Sequence, residues 1–257
     1  MNQIKSYIQF LWHSKNEHGV HSPFVFDLVT KCFYDNSKKE AYPVLRNYRK
    51  ALLRNTNTIE VTDFGAGSKV FRSNTRQIAK IAQTAGITPK RAELLYRVAR
   101  YFQPQSVLEI GTSLGMATAA LSLGNETAKI TTVEGCKNTS AVAQNQFEAF
   151  DLNNIEAVTA EFSTYLETAA KSCNWDLIYF DGNHSKKATL AYFDLLLPGA
   201  TNDSVWIFDD IHWSAEMEEA WETIRKNPKV TVTIDTFQWG FVFFRAEQQK
   251  EDFVIRP

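Results

Sequence analysis

The sequence predicts an α/β fold: a doubly wound, mostly parallel sheet of seven strands with a C-terminal antiparallel hairpin, preceded by a helical region. Three observations carry this. From Gln105 onward, short apolar strand patterns alternate with helical ones, the order that builds a parallel sheet covered on both faces. The last two strand patterns, at 229–233 and 241–244, lie too close in sequence for a helical crossover and must be antiparallel. The stretch Val107-Leu108-Glu109-Ile110-Gly111-Thr112-Ser113-Leu114-Gly115 reads as a buried strand, a glycine turn and the start of a helix.

The elements follow in order. Residues 4–12 have helical apolar spacing at Ile4, Tyr7, Ile8 and Leu11. Ser22 and Pro23 form an N-cap and first-turn pair, so a second helix runs through Leu28 and Val29. Residues 42–53 read as a helix and 59–61 as a strand, while 75–83 and 89–102 read as amphipathic helices. Strands are then expected at 106–110, 129–134, 155–159, 177–181 and 205–209. Helices are expected at 115–123, 139–150, 163–171, 186–197 and 214–226. This gives residues 1–104 as a mainly helical region and 105–257 as the α/β domain. The aromatic content of the first region, including Trp12, Phe24 and Phe33, fits its own small core, a lid over a substrate, or a homodimer contact.

Composition narrows the function. The chain has 257 residues, 28 Lys and Arg against 29 Asp and Glu, and a formal net charge of -1. No global basic field is present to hold nucleic acid. No apolar run approaches the ~18 residues of a membrane span, and the first residues lack the apolar segment of a secretion signal. Cys32, Cys136 and Cys173 have no metal-ligand spacing and suit a reducing compartment, so a cytoplasmic location is expected.

The glycine turn carries the chemistry. Gly111 and Gly115 let the backbone turn sharply, and the following helix offers its free amides to a ligand. A second strand end, Glu134-Gly135, lies about 20 residues on, the spacing at which nucleotide-binding sheets place an acid on a ribose. A second candidate turn, Asp63-Phe64-Gly65-Ala66-Gly67-Ser68, lacks both a tight apolar helix start and an acidic strand end, which favours a loop.

With Pro198-Gly199 before the fifth strand and the closing hairpin, residues 105 to the end resemble a class I S-adenosylmethionine-dependent methyltransferase with a Rossmann-like sheet. Phe180-Asp181-Gly182-Asn183-His184 and Ile207-Phe208-Asp209-Asp210 are similar to the small-molecule O-methyltransferases of the macrocin and catechol type. The resemblance implies an enzyme that moves a methyl group to a small-molecule acceptor, most readily at oxygen. It implies that Glu109, Gly111, Thr112, Ser113 and Gly115 surround the methionine part of the cofactor. Glu134 and Gly135 would take the ribose, Glu161 and Phe162 the adenine, and Asp181 would touch the cofactor.

Asp181, Asp209 and Asp210 stand at the ends of two central strands, where ligands bind in such sheets. Hard oxygen ligands suit Mg²⁺, which would hold two substrate oxygens. The alternative is a metal-free site in which Asp209 or Asp210 caps the next helix. His184 stands where the catechol type carries Lys; with Asp181 it is the expected catalytic pair, an imidazole being able to take a hydroxyl proton near neutrality. His212 and Trp213 are candidates for the substrate side. Two other readings compete: a dinucleotide oxidoreductase, whose Gly-x-Gly-x-x-Gly spacing is missing here, and a non-catalytic cofactor-binding protein.

Overall fold

The structure, a computed structural model, describes residues 2–62, 73–171 and 173–257. The glycine-containing segment 63–68 therefore lies outside the described residues. Two compact units are distinguished: Met1–Tyr34 with Leu166–Pro257, and Asp35–Tyr165.

The chain begins with α1 (Asn2–His13), a short 3-10 turn at Glu17–Gly19, and α2 (Pro23–Leu28), which continues as a π-helical turn over Val29–Phe33. Ser22 caps α2 as expected, its Oγ accepting the Val25 amide at 3.4 Å ahead of Pro23.

The Asp35–Tyr165 unit then holds α3 (Ala41–Arg54), β1 (Thr58–Glu60), β2 (Thr75–Gln77), α4 (Ile78–Thr84) and α5 (Pro89–Phe102). Here one expectation is corrected. Residues 75–83 are not a single helix: 75–77 pair antiparallel with β1, and only from Ile78 does the chain turn helical. The β1 partner, distant in sequence, supplies ladder bonds that local helical spacing does not reveal. Thr88 caps α5 and Pro89 starts it, while Gln103 ends it in the left-handed region at φ 48°.

The unit continues with β3 (Ser106–Ile110), α6 (Met116–Gly124), β4 (Lys129–Glu134), α7 (Lys137–Ala149), β5 (Ile155–Thr159) and then α8 (Phe162–Ala169). Strand β4 pairs in parallel with β3 on one side and β5 on the other. Helix α6 is almost wholly buried because its sequence is small and apolar. A Cβ on its Gly124 would stand 2.5 Å from that of Ala99, so α5 and α6 pack at close range.

The remaining elements are β6 (Leu177–Phe180), α9 (Lys186–Leu196), β7 (Val205–Asp209), α10 (Ala215–Lys226), β8 (Val232–Asp235), β9 (Trp239–Phe243) and β10 (Glu251–Val254). Strands β6 and β7 are parallel, and β9 runs antiparallel to both β7 and β8. The expected terminal hairpin is present, shifted to 232–235 and 239–243. The expected count of seven strands is corrected by β10, which pairs in parallel with β8 beyond the hairpin, and by the small β1–β2 pair. Only Phe253 of β10 is buried, so its sequence carries no alternating core signal. The core of this unit is aromatic: Phe180 stacks on Phe208 at 4.1 Å, and Trp206 meets Phe193 and Phe244 edge-on.

Candidate active site

The glycine turn is built as the sequence implies. Strand β3 ends at Ile110, Gly111 adopts φ 102°, Ser113 φ 48° and Gly115 φ 76°, and α6 begins at Met116. Positive φ at two glycines and one small polar residue folds the turn back above the sheet. The Gly111 and Thr112 amides both donate to the Val133 carbonyl, at 3.0 and 3.2 Å, which fixes the turn to the end of β4.

Glu134 sits at that strand end, and its carboxylate bridges the two segments. Oε2 accepts the Ser113 amide at 2.8 Å and Oε1 accepts the Cys136 amide at 2.9 Å. The sequence reading assigned Glu134 to a ligand alone; in the structure it also holds the turn and the start of α7. Gly135 is half-buried in the bend between them.

Glu109 is the next-to-last residue of β3. It is fully buried; its Oε2 accepts the Thr118 hydroxyl and, at 2.6 Å, the Thr132 hydroxyl. Thr132 and Thr112 share a further hydroxyl contact at 2.6 Å, so the chain Glu109–Thr132–Thr112 props the turn from below. Oε1 has no partner. Burial raises the Glu109 pKa to about 7, against the two threonine bonds and with help from the Glu134 charge.

Tyr48 was missed by the sequence reading. Its buried hydroxyl donates to the Leu114 carbonyl at 2.9 Å, inside the glycine turn. The missing Cβ of Gly115 leaves room that Phe147 and Tyr48 fill: an added Cβ would lie 2.4 Å from the Phe147 ring and 2.6 Å from Tyr48 Oη. The spacing Leu45, Tyr48, Leu52 marks the buried face of α3 and was the available signal.

Glu161 is exposed, and its carboxylate works on its own helix. It accepts the amides of Ser163 and Thr164 at 3.1 and 2.8 Å, together with both hydroxyls, as an N-cap of α8 does. Desolvation is the largest single influence and acts upward, but these bonds together prevail and lower its pKa to about 2. Phe162, beside it, is half-buried.

In the other unit, Asp181, Gly182, Asn183 and His184 follow β6. Asn183 is left-handed at φ 53°, and Ser185 caps α9. This turn brings His184 Nε2 to 3.6 Å from Asp181 Oδ1, so the expected pair meets, with both side chains half-buried. Asp209 ends β7 and is buried. Its Oδ2 accepts the Tyr179 hydroxyl at 3.1 Å and its Oδ1 accepts the Asp210 amide at 2.8 Å. Asp210 is left-handed at φ 53°. Among the described residues, no three His, Cys, Asp or Glu side chains are grouped as a metal site requires, so Asp181, Asp209 and Asp210 are not brought together.

His212 is half-buried between two carboxylates. Its Nδ1 lies 3.1 Å from Glu218 Oε1 and its Nε2 2.9 Å from Asp235 Oδ2, and the ring stacks on Phe237. Desolvation lowers its pKa, but the two carboxylates outweigh it and the net shift is upward. Ser6 of α1 donates to the same Glu218 oxygen.

With this geometry in place, residues 108–211 match the family described as "Methyltransferase domain". The matched span runs from β3 through the glycine turn, Glu134 and Asp181 to just beyond Asp209 and Asp210.

Solved structures agree in fold at low identity. A Podospora anserina methyltransferase bound to SAH is 13% identical, with TM-score 0.61, covering 88% of this chain and 97% of that one. A Bacillus cereus O-methyltransferase in complex with SAH is 17% identical, with TM-score 0.55 and coverages of 83% and 93%. A Streptomyces achromogenes O-methyltransferase involved in tomaymycin synthesis, in complex with SAM, is 14% identical, with TM-score 0.57 and coverages of 85% and 95%. The chain thus shares the Rossmann-like α/β fold of these structures, as the sequence predicted. No helix among the described residues is long and apolar enough to cross a membrane.

Proposed function

We propose that this chain is an S-adenosylmethionine-dependent methyltransferase that acts on an oxygen of a small molecule. The observation that carries the reading is the carboxylate of Glu134, held by the Ser113 amide across the glycine turn within the matched methyltransferase domain. The SAH- and SAM-bound structures of the same fold support the choice of cofactor.

The residues present fit that cofactor. Glu134 is fixed by two amides, and a carboxylate, which can accept several hydrogen bonds at once, is the group that would take the ribose hydroxyls. Gly111, Thr112, Ser113 and Gly115 would hold the methionine end, with Glu109 supporting the turn from beneath. Gly135 would lie beside the ribose, and Glu161 and Phe162 would lie near the base. When bound, the cofactor supplies a methyl group on a sulfonium, an electrophile that needs only an aligned nucleophile.

His184 and Asp181 would activate that nucleophile. With Nε2 turned toward Asp181, His184 Nδ1 is the atom to take the hydroxyl proton, and the Asp181 carboxylate would stabilise the imidazolium that forms. A Mg²⁺ route through Asp181, Asp209 and Asp210 has less support, because Tyr179 and the Asp210 amide already engage Asp209. The N-terminal helices belong to the same proposal as a lid or homodimer contact; Ile4, Ile8, Leu11 and Trp12 of α1 are exposed. The three scattered cysteines, which lack metal-ligand spacing, favour the cytoplasm.

Label transfer tests the proposal. Methyl-labelled S-adenosylmethionine is incubated with the protein and a mixed set of small hydroxyl compounds that includes a catechol probe, with and without EDTA. Transfer that is lost in His184→Ala but persists in EDTA supports the reading; transfer abolished by EDTA would move it to the metal route. Transfer to nitrogen compounds alone would contradict the oxygen assignment.

A further inference from the structure

Strand β1 is an edge strand whose outer side faces α7. Its register with β2 pairs Thr58 with Gln77, Ile59 with Arg76 and Glu60 with Thr75. The Val61 amide donates to Asn74 O at 2.8 Å and the Ile78 amide to Asn57 O at 2.9 Å. Antiparallel ladders alternate, so residues 57, 59 and 61 turn their backbone groups to β2, and Thr58 and Glu60 turn theirs outward. The contacts of Glu60 bear this out: its carbonyl accepts Asn138 Nδ2 at 2.8 Å and the Cys136 thiol at 3.7 Å. The gap between strand and helix is therefore closed at Glu60.

At Thr58 it is open. A cleft of about 550 Å³ begins there, with Asn55, Asn57 and Thr58 on the strand side and Val142, Asn145 and Gln146 on α7. Positions 138, 142, 145 and 146 share one helix face, so the residues that close one end of the gap continue as the wall of the other. Leu52 and Ile78 add apolar surface. Among the described residues, no charged or aromatic side chain lines the cleft, and its size suits a small ligand. Asn55 Oδ1 already holds the Asn57 amide at 3.0 Å, and Gln146 Nε2 reaches Tyr48 O at 3.5 Å.

We propose that this cleft binds an extended, uncharged peptide segment. One residue of such a segment can exchange two hydrogen bonds with the outward N–H and C=O of Thr58, as a paired strand does. The carboxamides of Asn57 and Asn145 each offer a donor and an acceptor to the neighbouring peptide groups. A charged ligand would lose its hydration there without a counter-charge. The proposal is independent of methyl transfer, and the lining shares no residue with the glycine turn or Glu134.

The test uses the full chain labelled with ¹⁵N and the capped peptide acetyl-Val-Thr-Val-Thr-amide. Saturable shifts of the Thr58 backbone amide and of the Asn145 and Gln146 side-chain amides are expected. The same peptide N-methylated at its central amides should bind about tenfold more weakly, a loss of about 1.4 kcal/mol. Asn145→Leu, an exposed and helix-compatible change, should weaken binding, as should Thr58→Pro, which removes the outward donor at an edge position where proline is tolerated. Unmoved resonances at millimolar peptide would overturn the proposal. So would equal binding of the N-methylated peptide, or shifts produced by maltotriose and not by the peptide.

Discussion

The Ser113 amide donates to Glu134 Oε2 at 2.8 Å, tying the turn after β3 to the acid at the end of β4. Two segments about 20 residues apart in sequence thus form one preorganised cradle. Replacing Glu134 by Ala removes the tie together with the proposed ribose contact. Affinity for S-adenosylmethionine should fall about 10- to 100-fold, the weight of one or two hydrogen bonds to a charged group. Glu134→Gln, which keeps one oxygen acceptor, should lose less. Calorimetric titration of both variants checks the order.

Glu109 gives stability a defined pH dependence. Its folded pKa of about 7 lies above its unfolded value, so the native state holds the proton more tightly. The associated stability is present below about pH 4.5 and is lost as pH rises through about 7, roughly 3 kcal/mol in order of magnitude. Glu109→Gln, a neutral isostere of the protonated acid, should flatten this part of the Tm-against-pH curve. A wild-type curve that rises between pH 5 and 7 while the variant stays flat would contradict the assignment.

His212 works in a higher window. Its pKa is raised by Asp235 and Glu218, so its contribution is full below its unfolded pKa near 6.5 and disappears as pH rises through the folded value. A ring with carboxylate oxygens at both nitrogens is best satisfied as the imidazolium. The stability gap between wild type and His212→Gln, measured in urea, should be widest near pH 6 and narrow in alkaline buffer.

Tyr48 and Gly115 buttress the turn from the α3 and α7 sides. Tyr48→Phe leaves the Leu114 carbonyl buried without this donor, a cost of about 1–3 kcal/mol. Gly115→Ala should cost more, since it adds overpacking against Phe147 to a left-handed backbone at φ 76°. Chemical denaturation of the two variants tests the ranking.

The sequence made the α/β order and the glycine turn legible because both are local: a strand pattern, Gly111, and the Glu134 strand end recur at readable spacing. Three features escaped it for one physical reason. Tyr48 reaches Leu114 across 66 positions, β10 finds β8 through a parallel pairing with one buried residue, and Asp209 meets Tyr179 from a neighbouring strand. Each depends on tertiary placement: helical spacing marks Tyr48 as inward-facing, but periodicity does not say which distant group a residue meets. Nor does the sequence tell whether Asp181, Asp209 and Asp210 converge: among the described residues they form no metal-sized group, since adjacent strand ends do not oblige their carboxylates to meet.

Glu161 separates a cap from a ligand contact. As the N-cap of α8, its replacement by Ala should destabilise the protein by about 0.5–2 kcal/mol. If it serves the helix alone, affinity for S-adenosylmethionine will be unchanged; an added loss of affinity would give it the proposed place near the adenine. Thermal melts and titrations on the same preparation distinguish the two.

The most direct test of the account is calorimetric titration of the wild-type protein with S-adenosylmethionine and, separately, with NAD⁺. The account predicts saturable heat with S-adenosylmethionine, none with NAD⁺, and a marked loss of affinity in a folded Glu134→Ala variant. Binding of NAD⁺ in place of S-adenosylmethionine, or heat that Glu134→Ala leaves untouched, would contradict it.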